Sequence, residues 1–324
     1  MRAAEHLAPS QPGFLSRLGS RPWWPYAKRV AVFAFLALVI GLLIKQAQSI
    51  EWTEVGAALG RLPYTVLAIA AILSALSFTV YATFDLIGRS YTRHKLATHC
   101  VMLVAFVSYA FNINFGSLIG GVGFRYRLYT KFGLAKGAIA RVLGLSMLTN
   151  WLGYIALSGV VLCFFTPVLP KRWQIENAML PWLGAGLLAL SIAYLLACAF
   201  SRRRRWVWRS QTISLPSIRM ALLQIVLSPL NWMIMAGTVF TLFQARIDYP
   251  TVLAVLLLGA VAGVITRVPA GLGVIEAVFV SMLSSRLAAT ELLAGVLAYR
   301  AVYYLLPLAL AALVFARLEW RTKS

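Results

Sequence analysis

The chain has 324 residues, of which 61% are hydrophobic and only 12% charged, against roughly 25% charged in an ordinary soluble domain. Its formal net charge of +21 lies in short basic clusters between apolar runs, the pattern that sets orientation in a membrane rather than one that grips nucleic acid. The runs are about 20 residues long and do not alternate polar with apolar positions, which excludes a β-barrel and leaves a helical membrane protein.

The first apolar run, Val30 to Ile44, follows polar or mixed residues and has no small-residue cleavage site after it, so an uncleaved anchor is expected rather than a signal peptide. Lys28, Arg29 and Lys45 flank it, and Trp23, Trp24 and Tyr26 fit an interfacial belt. The remaining segments are 63–88, 99–124, 140–165, 181–200, 218–243, 251–286 and 290–316, making eight in all. Two of them are interrupted. Segment 99–124 contains Asn112 and Asn114, then Gly120, Gly121 and Gly123, while segment 251–286 contains Arg267, Pro269, Gly271 and Gly273. Such residues break helices, and broken backbone at membrane depth is tolerated only where protein or water covers it.

Charge placement decides how these segments run. If both are re-entrant hairpins, the stretches 1–29, 89–98, 125–141, 201–219 and 317–324 share one face and carry 22 of the 30 Lys and Arg. A full crossing by 99–124 would put Arg125, Arg127 and the Arg202–Arg205 run on the wrong side. The expected fold class is therefore an all-α polytopic membrane protein with about six full transmembrane helices and two opposed re-entrant helical hairpins. The first hairpin opens from the cytoplasm and the second from the periplasm. Expected boundaries are a cytoplasmic tail over 1–28, one membrane domain over 29–317 and a cytoplasmic tail over 318–324. Opposed broken segments point to an inverted repeat with a midplane site, as in some transporters; Asn150-Trp151 and Asn231-Trp232 recur within spans in the same way.

Ionisable residues inside such segments are costly, by about 2.5–3.5 kcal/mol each on insertion scales, and normally pair or line a wet cavity. The candidates are Asp85, Arg267, Glu276 and Arg300. Glu276 follows the Gly271-Leu272-Gly273 break closely enough to cap a half-helix N-terminus, where a carboxylate is favoured. Arg125 and Arg127 stand among aromatics after the first tip; they either mark topology or grip a lipid phosphate. The glycines at 120, 121 and 123 permit either close helix packing or anion binding by free N–H groups. Cys100, Cys163 and Cys198 read as small hydrophobes. His6, His94 and His99 have no metal-ligand spacing, and no nucleotide loop or nucleophile motif stands in the sequence. No cofactor, metal or catalytic residue is expected.

The stretches Ser108-Tyr109-Ala110-Phe111-Asn112, Gly123-Phe124-Arg125-Tyr126-Arg127-Leu128-Tyr129 and Thr149-Asn150-Trp151-Leu152-Gly153-Tyr154 resemble a known family. So do Pro269-Ala270-Gly271-Leu272-Gly273-Val274-Ile275-Glu276-Ala277 and Ala298-Tyr299-Arg300. The resemblance, over about residues 28–316, is to the YbhN-type inner-membrane proteins of the lysylphosphatidylglycerol synthase transmembrane-region superfamily, the flippase part of the MprF proteins. It implies a bacterial inner-membrane module that moves or holds phospholipids, particularly charged ones. The aminoacyl-transferase domain of two-part members is not expected after residue 316, so lysyl transfer is not inherited. Arg125, Arg267, Glu276 and Arg300 carry over as substrate-binding candidates, with Arg127 beside them. The expected function is a flippase-like phospholipid transporter, not an enzyme. The alternative is a scaffold that recruits a lipid-synthesising enzyme as partner. Nucleic acid is not an expected partner.

Overall fold

The computed structural model describes residues 24–48, 50–165, 177–202, 205–208, 211–266 and 271–320. Two compact units meet between Glu51 and Trp52. The first holds helix α1 (Trp24–Gln48), longer than the apolar run Val30 to Ile44 from which an anchor was expected. The second, among its described residues, consists of helices with their turns and one small β-hairpin.

In the second unit, α2 (Trp52–Gly60) is a short helix leading to α3 (Tyr64–Thr92). Next come α4 (Thr98–Phe115), a π-helical turn at Ser117–Phe124 and α5 (Arg125–Lys131). Helices α6 (Lys136–Phe164), α7 (Leu180–Phe200) and α8 (Ile218–Leu242) follow. Between α7 and α8, β1 (Arg205–Trp208) pairs antiparallel with β2 (Gln211–Ser214). This short hairpin lies in the connection between α7 and α8, where the sequence Trp206-Val207-Trp208 has high strand propensity, and leaves the expected all-α class intact. The chain then forms α9 (Tyr249–Thr266), α10 (Val274–Leu283), α11 (Ala289–Tyr299), a second π-helical segment at Arg300–Leu305 and α12 (Leu306–Trp320). The last helix runs to Trp320, into the stretch 318–324 expected as a tail.

Seven stretches among the described residues are long and apolar enough to cross a membrane. Packing shows which of them do. Ser77 on α3 bonds Asn231 on α8, and Gly237 faces Leu73, so these two central helices are antiparallel. Helix α6 begins beside the end of α3, with Val142 against Gly88, and runs parallel to α8 through the Gln224–Thr149 bond of 2.8 Å. Helix α7 returns along α6, with Gly159 against Gly184.

Helix α4 starts at the end of α3, where Arg89 bonds Thr98. After Gly116 the chain doubles back: the Phe124 ring stacks on Phe111 at 3.9 Å, and Tyr129 reaches Asp85 near the end of α3. Residues 98–131 therefore enter and leave at one end, the arginine-rich end. Helix α9 starts at the other end. Tyr249 bonds the Met233 carbonyl there, and α10 brings the chain back until Arg286 pairs with Asp248. Helices α11 and α12 then cross completely, since Ser74 bonds the Val302 carbonyl at mid-depth and Glu319 meets Arg127. The order span, hairpin, span thus occurs twice, entered from opposite ends. Each hairpin has one long limb: α4 and α9 have 18 residues apiece, about 27 Å of helix.

The first hairpin closes by backbone contact. A methyl group added at Gly120 would lie 2.1 Å from Asn112 N and 2.2 Å from the Phe111 carbonyl carbon. Backbone cannot yield there as a side chain can. By contrast, a methyl at Gly144 meets nothing within 4 Å. Gly120→Ala is expected to remove most folded, monodisperse protein in size-exclusion chromatography, whereas Gly144→Ala leaves yield and melting temperature unchanged.

Candidate functional site

Two ion pairs clasp the hairpins. In the first, Arg125 Nε and Nη2 donate to Asp85 Oδ2 and Oδ1 at 3.0 and 3.2 Å, and Nη2 also reaches Ser146 Oγ at 3.3 Å. Tyr129 donates to Asp85 at 2.8 Å, and the Arg125 guanidinium lies 5.7 Å from the Tyr81 ring centroid. The side chains of Arg125 and Asp85 are 2% and 0% exposed. The fork that might have gripped a lipid phosphate is therefore filled by an internal carboxylate. Arg127 is occupied as well, donating from Nε and Nη2 to Glu319 at 2.9 and 2.7 Å. Both residues fix the returning limb of the first hairpin to full spans.

The glycines of the first tip serve close packing. Gly120 rests on the Phe111–Asn112 backbone, and a methyl at Gly121 would stand 3.0 Å from Asn112 Oδ1. The Gly121 carbonyl accepts from Arg125, and Gly123 lies within the π-helical turn. The Asn112 carbonyl accepts from the Gly116 N–H. Asn114 donates to the carbonyls of Ala110 and Tyr304, tying the tip to the last span.

The second pair joins Glu276 to Arg300. Arg300 donates from Nε to Glu276 Oε1, from Nη2 to Oε2 at 2.9 Å, and from Nη2 to the Gly271 carbonyl at 2.8 Å. Glu276 occupies the first turn of α10, as its spacing from the glycines implies. Gly271 and Gly273 take φ of +57° and +75°, a region that side-chain-bearing residues avoid, in the turn before α10 where the Gly271 carbonyl accepts from Arg300. Arg267 and Pro269 lie outside the described residues. Exposures of 8% for Arg300 and 15% for Glu276 make this the more accessible pair. Arg300 follows Ala289 by three helical turns, about 16 Å at 1.5 Å per residue, close to the middle of a hydrocarbon core of roughly 30 Å.

Between the pairs runs a buried polar and aromatic network that joins Asn231 and Tyr109, both noted in the sequence, to Ser77, Tyr81 and Tyr303, which were not. Ser77 donates to Asn231 Oδ1 at 2.7 Å and also lies 2.7 Å from the Tyr303 hydroxyl. A serine has one proton, so Tyr303 donates to Ser77. Tyr109 stands 3.2 Å from Tyr303 and stacks on Tyr81 at 3.6 Å. The Arg300 guanidinium sits 5.6 Å from the Tyr304 ring. The one available signal was helical spacing: Ser74, Ser77 and Tyr81 recur at three and four residues along α3, within an otherwise apolar run.

Residues 29–311 match the family model described as lysylphosphatidylglycerol synthase TM region. The chain belongs to this family. It is 40% identical over 306 residues to the inner membrane protein YbhN of Escherichia coli, covering 94% of this chain and 96% of that protein. It is 28% identical over 303 residues to the uncharacterized protein slr0712 of Synechocystis, covering 91% and 94%. As a multi-pass member of the lysylphosphatidylglycerol synthase TM-region family, the chain presents one sealed ion pair and one accessible one.

The sealed pair should govern stability. Removing one partner of a buried pair leaves an uncompensated charge and costs about 3–5 kcal/mol, whereas replacing both by apolar groups is often neutral. Asp85→Leu alone should sharply lower the melting temperature in detergent, and Asp85→Leu with Arg125→Met should restore most of the loss.

Proposed function

We propose that this protein is a multi-pass inner-membrane transporter that moves phospholipids, anionic ones foremost, between leaflets without altering their headgroups. The observation that carries this reading is the Arg300–Glu276 pair: an arginine and a carboxylate near mid-depth, less completely buried than Arg125 and Asp85, beside a broken backbone whose Gly271 carbonyl is turned to the same guanidinium. Ions at that depth are expensive and belong to pathways. A phosphate competing for Arg300 would meet a guanidinium that Glu276 and the Gly271 carbonyl orient, and Glu276 would be freed into the half-helix dipole that favours it.

The surroundings support the same reading. Ser108 Oγ, Asn114 Oδ1 and Tyr299 OH are buried with no hydrogen-bond partner among the described residues. A buried polar group left so costs about 1–3 kcal/mol, a cost that a polar occupant of the protein's middle would offset. The family match and the YbhN relative support a lipid-related role in the inner membrane.

Purified protein in liposomes should exchange headgroup-labelled phosphatidylglycerol between leaflets. Arg300→Ala and Glu276→Ala should each slow that exchange at least tenfold while melting within a few degrees of wild type. Mass spectra of the lipids should show unchanged headgroups. Failure of folded wild-type protein to exchange any phospholipid would reject the reading in favour of a scaffold for a lipid-synthesising enzyme.

A further inference from the structure

A cavity of about 240 Å³ opens at the end opposite the arginine-rich one. It lies between the end of α2, the turn from α8 to α9, and the first two turns of α11. Helix α2 buries Val55 and Ala58 and leaves Trp52 exposed. Tyr64, at the start of α3, is exposed as well. Such aromatics belong at the level of lipid headgroups, and they bracket Arg61 in sequence.

The polar residues lining this cavity are Arg61, Gln244, Arg246 and Glu291. Arg246 is fixed by Glu291, with Nη1 and Nη2 donating at 2.9 and 3.1 Å. Those bonds use two of the five N–H donors of a guanidinium, so an oriented cation remains with donors to spare. Arg61 has no ion-pair partner among the described residues. Two arginines against one glutamate leave the lining with one net positive charge, which a phosphodiester would neutralise.

The backbone is shaped to keep the cavity open. Gln244 and Ala245 take φ of +52° and +57°, a conformation that residues with side chains seldom adopt. This turn sets the Phe243 ring against Gly295, where an added methyl would lie 2.4 Å from the ring, and carries Arg246 round to Glu291. Strain of this kind persists where the surroundings enforce it, and it gathers at binding sites.

We propose that this cavity is a phosphate site at the lipid–water boundary. Arg246, oriented by Glu291, and Arg61, closing from the end of α2, hold the phosphodiester of a phospholipid. The inference rests on the reading of the protein as one that handles phospholipids, but not on translocation. A headgroup seated here lies at the surface, whereas the Arg300–Glu276 pair lies near mid-depth, so the cavity is where a lipid is first held on this side.

The test is binding of short-chain dihexanoyl phosphatidylglycerol to the purified full-length protein, followed by native mass spectrometry, with Arg61→Ala, Arg61→Lys and Ala294→Phe beside wild type. Arg61 is exposed, so its loss leaves the fold intact. Arg61→Ala should weaken binding about tenfold, the scale of one charge-assisted hydrogen bond, and Arg61→Lys should recover part of that loss. Ala294→Phe, which fills the cavity, should remove the Arg61-dependent component altogether. Affinity unchanged in both Arg61→Ala and Ala294→Phe would overturn the site. Competition by soluble glycerophosphoglycerol as strong as by the lipid would overturn the lipid as its source. Arg61-dependent binding without leaflet exchange by wild type would leave this site standing and remove translocation; exchange without Arg61-dependent binding would do the reverse.

Discussion

In hydrocarbon every backbone N–H and C=O needs a partner, because no water is there to take its place. That constraint governs both interrupted segments of this protein. In the first, the chain past Gly116 winds as a π-helix rather than unravelling, and Gly120 brings its returning backbone into direct contact with α4 at Phe111 and Asn112. In the second, the Gly271 carbonyl, in the turn before α10, accepts from Arg300. An arginine at membrane depth thereby does two things at once: it satisfies a broken backbone and binds a carboxylate.

The same need explains why charges clasp the hairpins. A limb that turns back inside the membrane has fewer helix neighbours than a full span, and apolar packing alone gives it little advantage over lipid. Arg125 ties the first returning limb to α3 through Asp85, and Glu276 ties the second to the last span through Arg300. The two clasps differ in accessibility rather than in chemistry. Asp85 is closed in by Arg125 and Tyr129, and Arg125 reaches Ser146 as well, so that pair sets the fold. Arg300 and Glu276 retain exposure, so the second pair can change partners. The network of Ser77, Tyr109, Asn231 and Tyr303 ties the first hairpin, through Tyr109, to α3, α8 and the last span.

Much of this was legible in the sequence because its strongest signals are local. Asparagine, glycine and proline inside apolar runs marked the two interruptions, basic clusters fixed which ends share a face, and Glu276 sat the right distance past Gly273 to begin a half-helix. Pairings across the chain were not legible. Asp85 and Arg125 are 40 residues apart and Arg127 and Glu319 are 192 apart, separations that no local period encodes. Arg125 and Arg127 thus read as free cations when each already had a carboxylate. The π-helical segments left no mark either, since Arg300 to Leu305 has the composition of ordinary helix. The β-hairpin before α8 was hidden by its basic neighbours, which drew attention to charge rather than to strand propensity.

Opposed hairpins are the central claim, and the sidedness of single cysteines tests it most directly. In a background lacking Cys100, Cys163 and Cys198, cysteines are placed at Ala97 and Gly133, at the two ends of the first hairpin, and at Arg246 and Ser285, at the ends of the second. Each is then challenged with a membrane-impermeant maleimide from either side. The account predicts that Ala97 and Gly133 label from one side and Arg246 and Ser285 from the other. Labelling of Ala97 and Gly133 from opposite sides would mean that residues 98–131 cross the membrane, and would contradict it.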